Sequence, residues 1–400
     1  MKSLTTLMSS LLLSTTALAN SAILLGPNLE PTSVELQAIS PTLIKVINAK
    51  GAEQSLKPED VLRLTLTRAE LPTPDAQRSV LTLRDGQIVV GRLVSSNDEE
   101  AVRLKIDNDR QIQVPLDEVL SLAVQAEAVA PAATEDDALL LATGEVLLGF
   151  VETLTEDAIG FVVGDADDAI DIPLQRVKAL SIANKPKPAE VEPGTLRVTM
   201  ADGSLLLIQN AQLSSGDDGD ALIGQSKLPI LSSRGEEEGD STAAASRVAL
   251  PMGRIMTIEP LSTKASLMSL SDVTFDVEDG GEVFGVAMPP TVKADAAIAL
   301  HAPVTIGFEL PKGATRLALS VAMDLDDAIP ASRRKMAGCE LLVYVGQRVV
   351  ARHTLTADGP PKRLNLPLTG GTLRLALDAG VNGPVLDRVV VTEAELLVSE

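Results

Sequence analysis

Two histidines and one cysteine are all the imidazole and thiol chemistry that these 400 residues offer. Zinc sites assembled from Cys and His are therefore close to excluded. One histidine, His301, heads the stretch LHAPVTIGFELPKGATRLALSVAMDLDD, and Asp324, Asp326 and Asp327 close it. Carboxylates so spaced could hold a sugar hydroxyl, or a calcium ion through the oxygen donors that hard cations prefer. They could equally be the solvated rim of a loop. His301 stands at the entry of an alternating segment, where a histidine commonly bonds the backbone and fixes a loop. His353, in VVARHTL, has no acidic or cysteine partner nearby and reads as a surface strand residue. Cys339, in GCELLVYV, reads as a buried apolar filler. No G-x-S-x-G elbow presents a serine nucleophile, and no glycine-rich phosphate loop joins a strand to a helix. Paired carboxylates of the glycosidase kind stay open, because 55 acidic residues supply many pairs.

Composition narrows the partners. A formal charge of -21 repels phosphate backbones and anionic lipid surfaces, so nucleic acid is not expected as a partner. The acids are dispersed through a chain that is 45% hydrophobic, which argues for packed structure over disorder. Lys2, an apolar run at Leu11–Leu13 and the Ala17-Leu18-Ala19 sequence predict a signal peptide over residues 1–19 and export to the periplasm or beyond. No later segment is long and apolar enough to predict a membrane span.

The elements that would carry the candidate residues repeat along the chain. LRDGQIVVGRLVS followed by RLKIDNDRQIQVPLDEVLSL has a counterpart in LATGEVLLGFVET followed by GFVVGDADDAIDIPLQRVKAL. Gly86, Gly91 and Pro115 recur at the same spacing as Gly144, Gly149 and Pro173, and Pro251 takes the same place in a third copy. Asp85-Gly86 and Asp202-Gly203 are hairpin signals, and the residues between alternate with a period of two. Each copy is predicted to be a small β-meander, closing on a turn and a strand in which Val119, Leu120 and Leu122 pack inward. GDADDAID, residues 164–171, resembles a calcium loop in spacing but lacks the glycine and terminal glutamate of an EF-hand, and falls on a hairpin turn in the repeat register. The expected organisation is a degenerate first repeat at 20–70 and repeats at 78–126, 137–184 and 194–262. The last carries an acidic insertion at 232–246. Linker-like stretches rich in Ala, Pro and charge separate the copies, and a different β pattern follows at 263–400.

That last region holds strand-like segments VTIGFELP, RLALSVAM, CELLVYVGQRVVARHTL, KRLNLPL, LRLALDAG and RVVVTEAELLV, separated by turns such as Pro311-Lys312-Gly313 and Asn382-Gly383-Pro384. Short strands at this spacing imply a β-sandwich. The series Leu300-His301-Ala302-Pro303, Ile306 to Gly313, Val321 to Asp324, Gly338 to Gly346, then Asp387, Ala394 and Leu396 resembles the NPCBM family of carbohydrate-binding modules. Residues 258–275 resemble the leader that precedes such a domain. The resemblance implies a galactose-binding-like jelly-roll and an exported protein that binds carbohydrate or a cell-envelope partner. It points to His301, Asp324, Asp326, Asp327 and Asp387 as ligand-binding candidates. The chain departs from the family at Leu317 and near Val390-Val391, where aromatic residues are usual, and it has no Trp. The expected fold class is thus all-β, with barrel-like repeats before a jelly-roll sandwich. The expected function is non-catalytic binding. An envelope assembly role without sugar binding, and least of all a glycosidase, are the alternatives. No cofactor is expected, calcium being the one ion the residues could take.

Overall fold

Strand periodicity runs almost unbroken through the chain, and the computed structural model of the protein is all-β. It describes residues 20–67, 69–70, 77–94, 101–106, 110–125, 127–132, 135–164, 166, 168–189, 191–216, 219–228, 230–232, 246–261, 264–293, 296–326 and 328–399. Residues 1–19, where the sequence predicts a signal peptide, most of the acidic insertion, Asp165, Asp167 and Asp327 lie outside the described residues. Among the described residues no helix is long and apolar enough to cross a membrane.

The N-terminal part is built from four meanders, each ending in a short 3-10 helix and a strand that returns to pair with its own first strand. In unit 1 the closing strand Arg63–Leu66 pairs with Asn20–Leu25. In unit 2, Val119–Ala123 pairs with Ser79–Leu83. In unit 3, Val177–Ser181 pairs with Asp137–Leu141, and in unit 4, Ile255–Pro260 pairs with Leu196–Met200. The repeated prolines explain the shared ending. Pro115, Pro173 and Pro251 each stand as N-cap of the 3-10 turn, where a fixed φ and a missing N–H cost nothing. The repeated turn glycines Gly86, Gly144 and Gly203 adopt φ of +82°, +90° and +92°, which other residues avoid. Of the three residues expected to pack inward in the closing strand of unit 2, Val119 and Leu122 are buried but Leu120 is only half-buried. A bulge between Val119 and Ser121 shifts the alternation there.

The units join by their closing strands. Leu122 pairs with Leu180, flanked symmetrically by Ser121 with Ser181 and Ala123 with Ala179, so units 2 and 3 share a continuous sheet. Units 1 and 4 repeat the arrangement, with Leu64 opposite Ile258 and Thr65 opposite Thr257. The segments after the closing strands of units 1, 3 and 4 run onto a neighbour's 3-10 turn. Glu70 donates its N–H to Gly253 O (2.7 Å), Asn184 Nδ2 donates to Leu116 O and Val119 O, and Lys264 pairs with Glu59 at 2.7 Å. The linker-like stretches are in this way pinned to the barrels. Units 2 and 4 also meet, through Ile88 opposite Leu205.

The C-terminal region packs two sheets face to face. One runs in the order Phe275–Gly280, Val304–Glu309, Thr372–Ala379, Gly338–Val345, Arg348–Thr356. The other holds Thr291–Val292, Ile298–His301, Arg388–Ser399, Ala314–Met323 and Lys362–Pro367. The run CELLVYVGQRVVARHTL is two strands of one hairpin, turned at Gly346 with φ +61°. The leader-like segment belongs to the fold: Ala265–Ser269 pairs with Arg388–Ser399, and Leu270 is fully buried. Inward-facing Ile306, Phe308, Val321, Leu341, Val343, Leu375 and Val391 fill the core, as the period of two requires.

Unit 1 docks on this sandwich. Leu25, Leu29 and Leu62 form one cluster with Ala318 and Leu397. Beside it Arg63 bridges Glu259 of unit 4, at 2.7 Å, and Glu395 of the sandwich. Burial alone would lower the pKa of Arg63, but the two carboxylates outweigh it and hold the guanidinium charged.

Candidate functional site

Asp387 is fully buried, and its surroundings explain why. Its Oδ1 accepts the N–H of Gly338 and its Oδ2 that of Gly380, each at 2.9 Å. Its own carbonyl accepts the N–H of Ala302 at 3.0 Å. A carboxylate taken out of water is costly unless hydrogen bonds replace its hydration. Here it clasps the start of strand Gly338–Val345, the end of Thr372–Ala379 and the His301-Ala302 corner. Asp387 thus fastens three segments beneath one end of the sandwich and is 0% exposed.

His301 is buried too, with Nδ1 at 2.9 Å from Ala302 O. A carbonyl can only accept, so Nδ1 carries the proton and the ring holds the corner. The exposed part of this end lies around these two residues. His301 pairs across to Arg388, whose carbonyl accepts the N–H of Asp324 at 2.8 Å. Asp324 Oδ2 meets Lys293 Nζ at 3.0 Å, both side chains about two-fifths exposed. Asp326 Oδ1 accepts the N–H of Ala328 at 2.8 Å and so shapes its own loop. The structure therefore gathers His301, Asp324 and Asp387 at one end, and Asp326 follows on the same loop. Among the described residues no group of three or more His, Cys, Asp or Glu side chains could hold a metal ion.

Lys293, Arg388 and Phe284 were not singled out from the sequence, since none sits in a motif. Phe284 is the most informative. It tips the hairpin Glu282–Val283 to Val286–Ala287, is 81% exposed and has φ +51°. The hairpin is tied to this same end, because Gly281 donates its N–H to Pro303 O at 3.0 Å. Exposing a phenylalanine and placing it in the left-handed region are both unfavourable, and such outliers concentrate at functional positions. The single tyrosine is elsewhere: Arg374 stacks over Tyr344 at 4.8 Å on the outer sheet face.

Cys339 lies just inside this end, 2% exposed. Burial, with the Asp387 carboxylate adding to it, pushes its thiol up to about 12 from a usual 9.0. An unfolded chain would lose that proton first as pH rises. The thiol's contribution to stability is therefore present below pH 9.0 and lost between there and about 12. We expect the urea midpoint of the sandwich to fall between pH 8 and pH 10.5 more steeply in the wild type than in Cys339→Val, and iodoacetamide to label Cys339 only on unfolding. Labelling of the native protein at pH 8 would contradict this.

No protein-family model matches the chain, and no curated protein does. Solved structures similar to it include the CBM51-2 and INT domains of Clostridium perfringens ZmpB in complex with GlcNAc. That match has 15% identity over 45% of this chain and 37% of that one, with a TM-score of 0.26. The CBM51 of Clostridium perfringens GH95 in complex with methyl-galactose matches at 18% identity over 33% of this chain and 99% of that one, TM-score 0.25. The tandem CBM51 modules of Sp3GH98, the family 98 glycoside hydrolase of Streptococcus pneumoniae, match at 12% identity over 89% and 88%, TM-score 0.26. The chain spans 37% of the length of the first of these structures.

Proposed function

We propose that this is an exported, non-catalytic binding protein whose C-terminal sandwich, like the NPCBM modules it resembles, takes a carbohydrate at the end carrying Phe284 and Asp324. The observation that carries this reading is Phe284, an exposed aromatic at φ +51° on a hairpin that Gly281 ties to Pro303, next to the His301-Ala302 corner. A ring face packs against the C–H face of a sugar, while carboxylate and ammonium groups accept and donate to its hydroxyls. Hydroxyl contacts largely exchange with water and contribute modestly, so the aromatic face supplies much of the affinity. Asp387 and His301 hold the corner in shape beneath; they do not touch the ligand.

Affinity electrophoresis and a glycan array on the mature chain test this. Phe284→Ala is expected to weaken binding of whichever glycan is retained by about tenfold, equivalent to ~1.4 kcal/mol. Asp324→Ala should weaken it severalfold, with unchanged thermal melting in both variants. If the wild-type chain is retarded by no glycan, the carbohydrate reading falls.

A further inference from the structure

The outer face of unit 3 is apolar and bare. Val146, Leu148 and Phe150, alternate residues of strand Val146–Leu154, are 46%, 46% and 53% exposed, and Ile170 at the barrel mouth is 51% exposed. Scattered exposed hydrophobes need no explanation, but three at alternate positions of one strand, with a fourth at the adjoining mouth, do. The other units show what this face is for. In register with the turn glycines Gly86, Gly144 and Gly203, Val146 corresponds to Ile88 of unit 2 and to Leu205 of unit 4, and those two residues pair with each other. Leu148 corresponds to Val90 and Leu207. Val90 donates its N–H to Ser204 Oγ at 3.0 Å, and Leu207 donates its N–H to Gln87 Oε1 at 2.8 Å. Gln87 and Ser204 are themselves equivalent positions, so the contact between units 2 and 4 is two-fold symmetric in its hydrogen bonds as well as its pairing. It leaves Gln87 1% and Val90 6% exposed. Ile112, the counterpart of Ile170, is 1% exposed in unit 2. In unit 1 the corresponding turn touches the sandwich, where Asn365 Nδ2 donates to Asn28 O at 2.7 Å, while Pro31, Thr32 and Ser33 after it are exposed.

Units 2 and 4 thus cover the strand after this turn against each other. We propose that unit 3 buries its copy against unit 3 of a second chain, giving a two-fold homodimer on the template of the unit 2–unit 4 contact. A pseudo-symmetric contact between two copies of one repeat becomes truly symmetric when both sides are the same repeat, which is the closed, isologous geometry of most soluble dimers. Val146 then faces Val146 of the second chain, and Glu145, standing where Gln87 and Ser204 accept, takes the N–H of Leu148 across the axis. Desolvating two carboxylates opposes association, and Gln87 avoids that cost in unit 2. The apolar set Val146, Leu148, Phe150 and Ile170 works against it. Self-repulsion of a chain of charge -21 also opposes the dimer and is screened at physiological salt.

The full mature chain in sedimentation velocity at 0.15 M salt, a physiological ionic strength, reads this directly. A dimer is expected in a series reaching about 100 μM, well above the dissociation constant of a micromolar contact. Leu148→Asp, at an exposed position that leaves the melting curve unchanged, should raise the dissociation constant roughly 30-fold or more. Val146→Cys tests the register. Directly opposed strand residues lie within disulfide range, so oxidation should give a covalent dimer, whereas Glu152→Cys should give none. A wild-type chain that stays monomeric throughout the series, leaving the face to some other partner, overturns the proposal. So does a dimer that Leu148→Asp does not weaken, and so does a dimer in which Val146→Cys fails to cross-link.

Discussion

Asp387→Ala is expected to lower the stability of the sandwich by about 3–5 kcal/mol, the range for breaking a buried charged hydrogen-bond set. The side chain is fully buried and accepts from Gly338 and Gly380 at 2.9 Å each. Truncation leaves both N–H groups facing a void that water can fill only if it opens. Asp387→Asn should cost less, about 2 kcal/mol, because one oxygen still accepts while the amide NH2 opposes the second N–H. The four barrel units share a hydrophobic core separate from that of the sandwich. Urea unfolding followed by Cys339 labelling should therefore show the sandwich transition move to lower denaturant. A loss under 1 kcal/mol would mean that the clasp on Gly338 and Gly380 contributes little.

Gly149→Ala is expected to cost about 3 kcal/mol or more in the barrel array, against about 1 kcal/mol for Gly144→Ala. The two glycines lie five residues apart in one unit but are needed for different reasons. Gly144 has φ +90° and open space around it, so a Cβ there meets only conformational strain. A Cβ on Gly149 would stand 1.8 Å from Val162 O and 2.9 Å from its carbonyl carbon. Neither atom can yield without parting strand Val146–Leu154 from Ala158–Val163. Gly91, its counterpart in unit 2, meets Lys105 O at 2.8 Å, so Gly91→Ala should fall between the two. Equal melting temperatures for Gly144→Ala and Gly149→Ala would refute the distinction.

These glycines also mark how far the sequence could be read. Their spacing and that of the three prolines are imposed by turn conformation and close strand approach, which are local, and local constraints leave a periodic trace. The all-β character follows from alternation in the same way. Which unit pairs with which does not: Leu64 meets Ile258 because of packing over nearly the whole array, and no single residue signals it. At the sandwich end, His301 and Asp387 were legible as members of an ordered series: the place of His301 already suggested a loop-fixing residue, and only the family resemblance suggested ligand contacts for both. Their burial and their bonds to the backbone, at His301 Nδ1 and at both Asp387 oxygens, could not be read from the sequence. Phe284 left no trace, since one phenylalanine in a Gly-rich hairpin becomes conspicuous only when its exposure and φ are known.

The seam between units 1 and 4 sets an order of assembly. Units 2 and 3 are consecutive, so their shared sheet can form as soon as both have emerged. Unit 1 must hold an open strand edge at Arg63–Leu66 until Ile255–Pro260 arrives at the far end of the array. Pairings of such long sequence separation are slow to form and leave an edge free for wrong partners meanwhile. A chain truncated before unit 4 should thus expose a templating edge while keeping the seam between units 2 and 3, and the whole array closes last on the unit that began it.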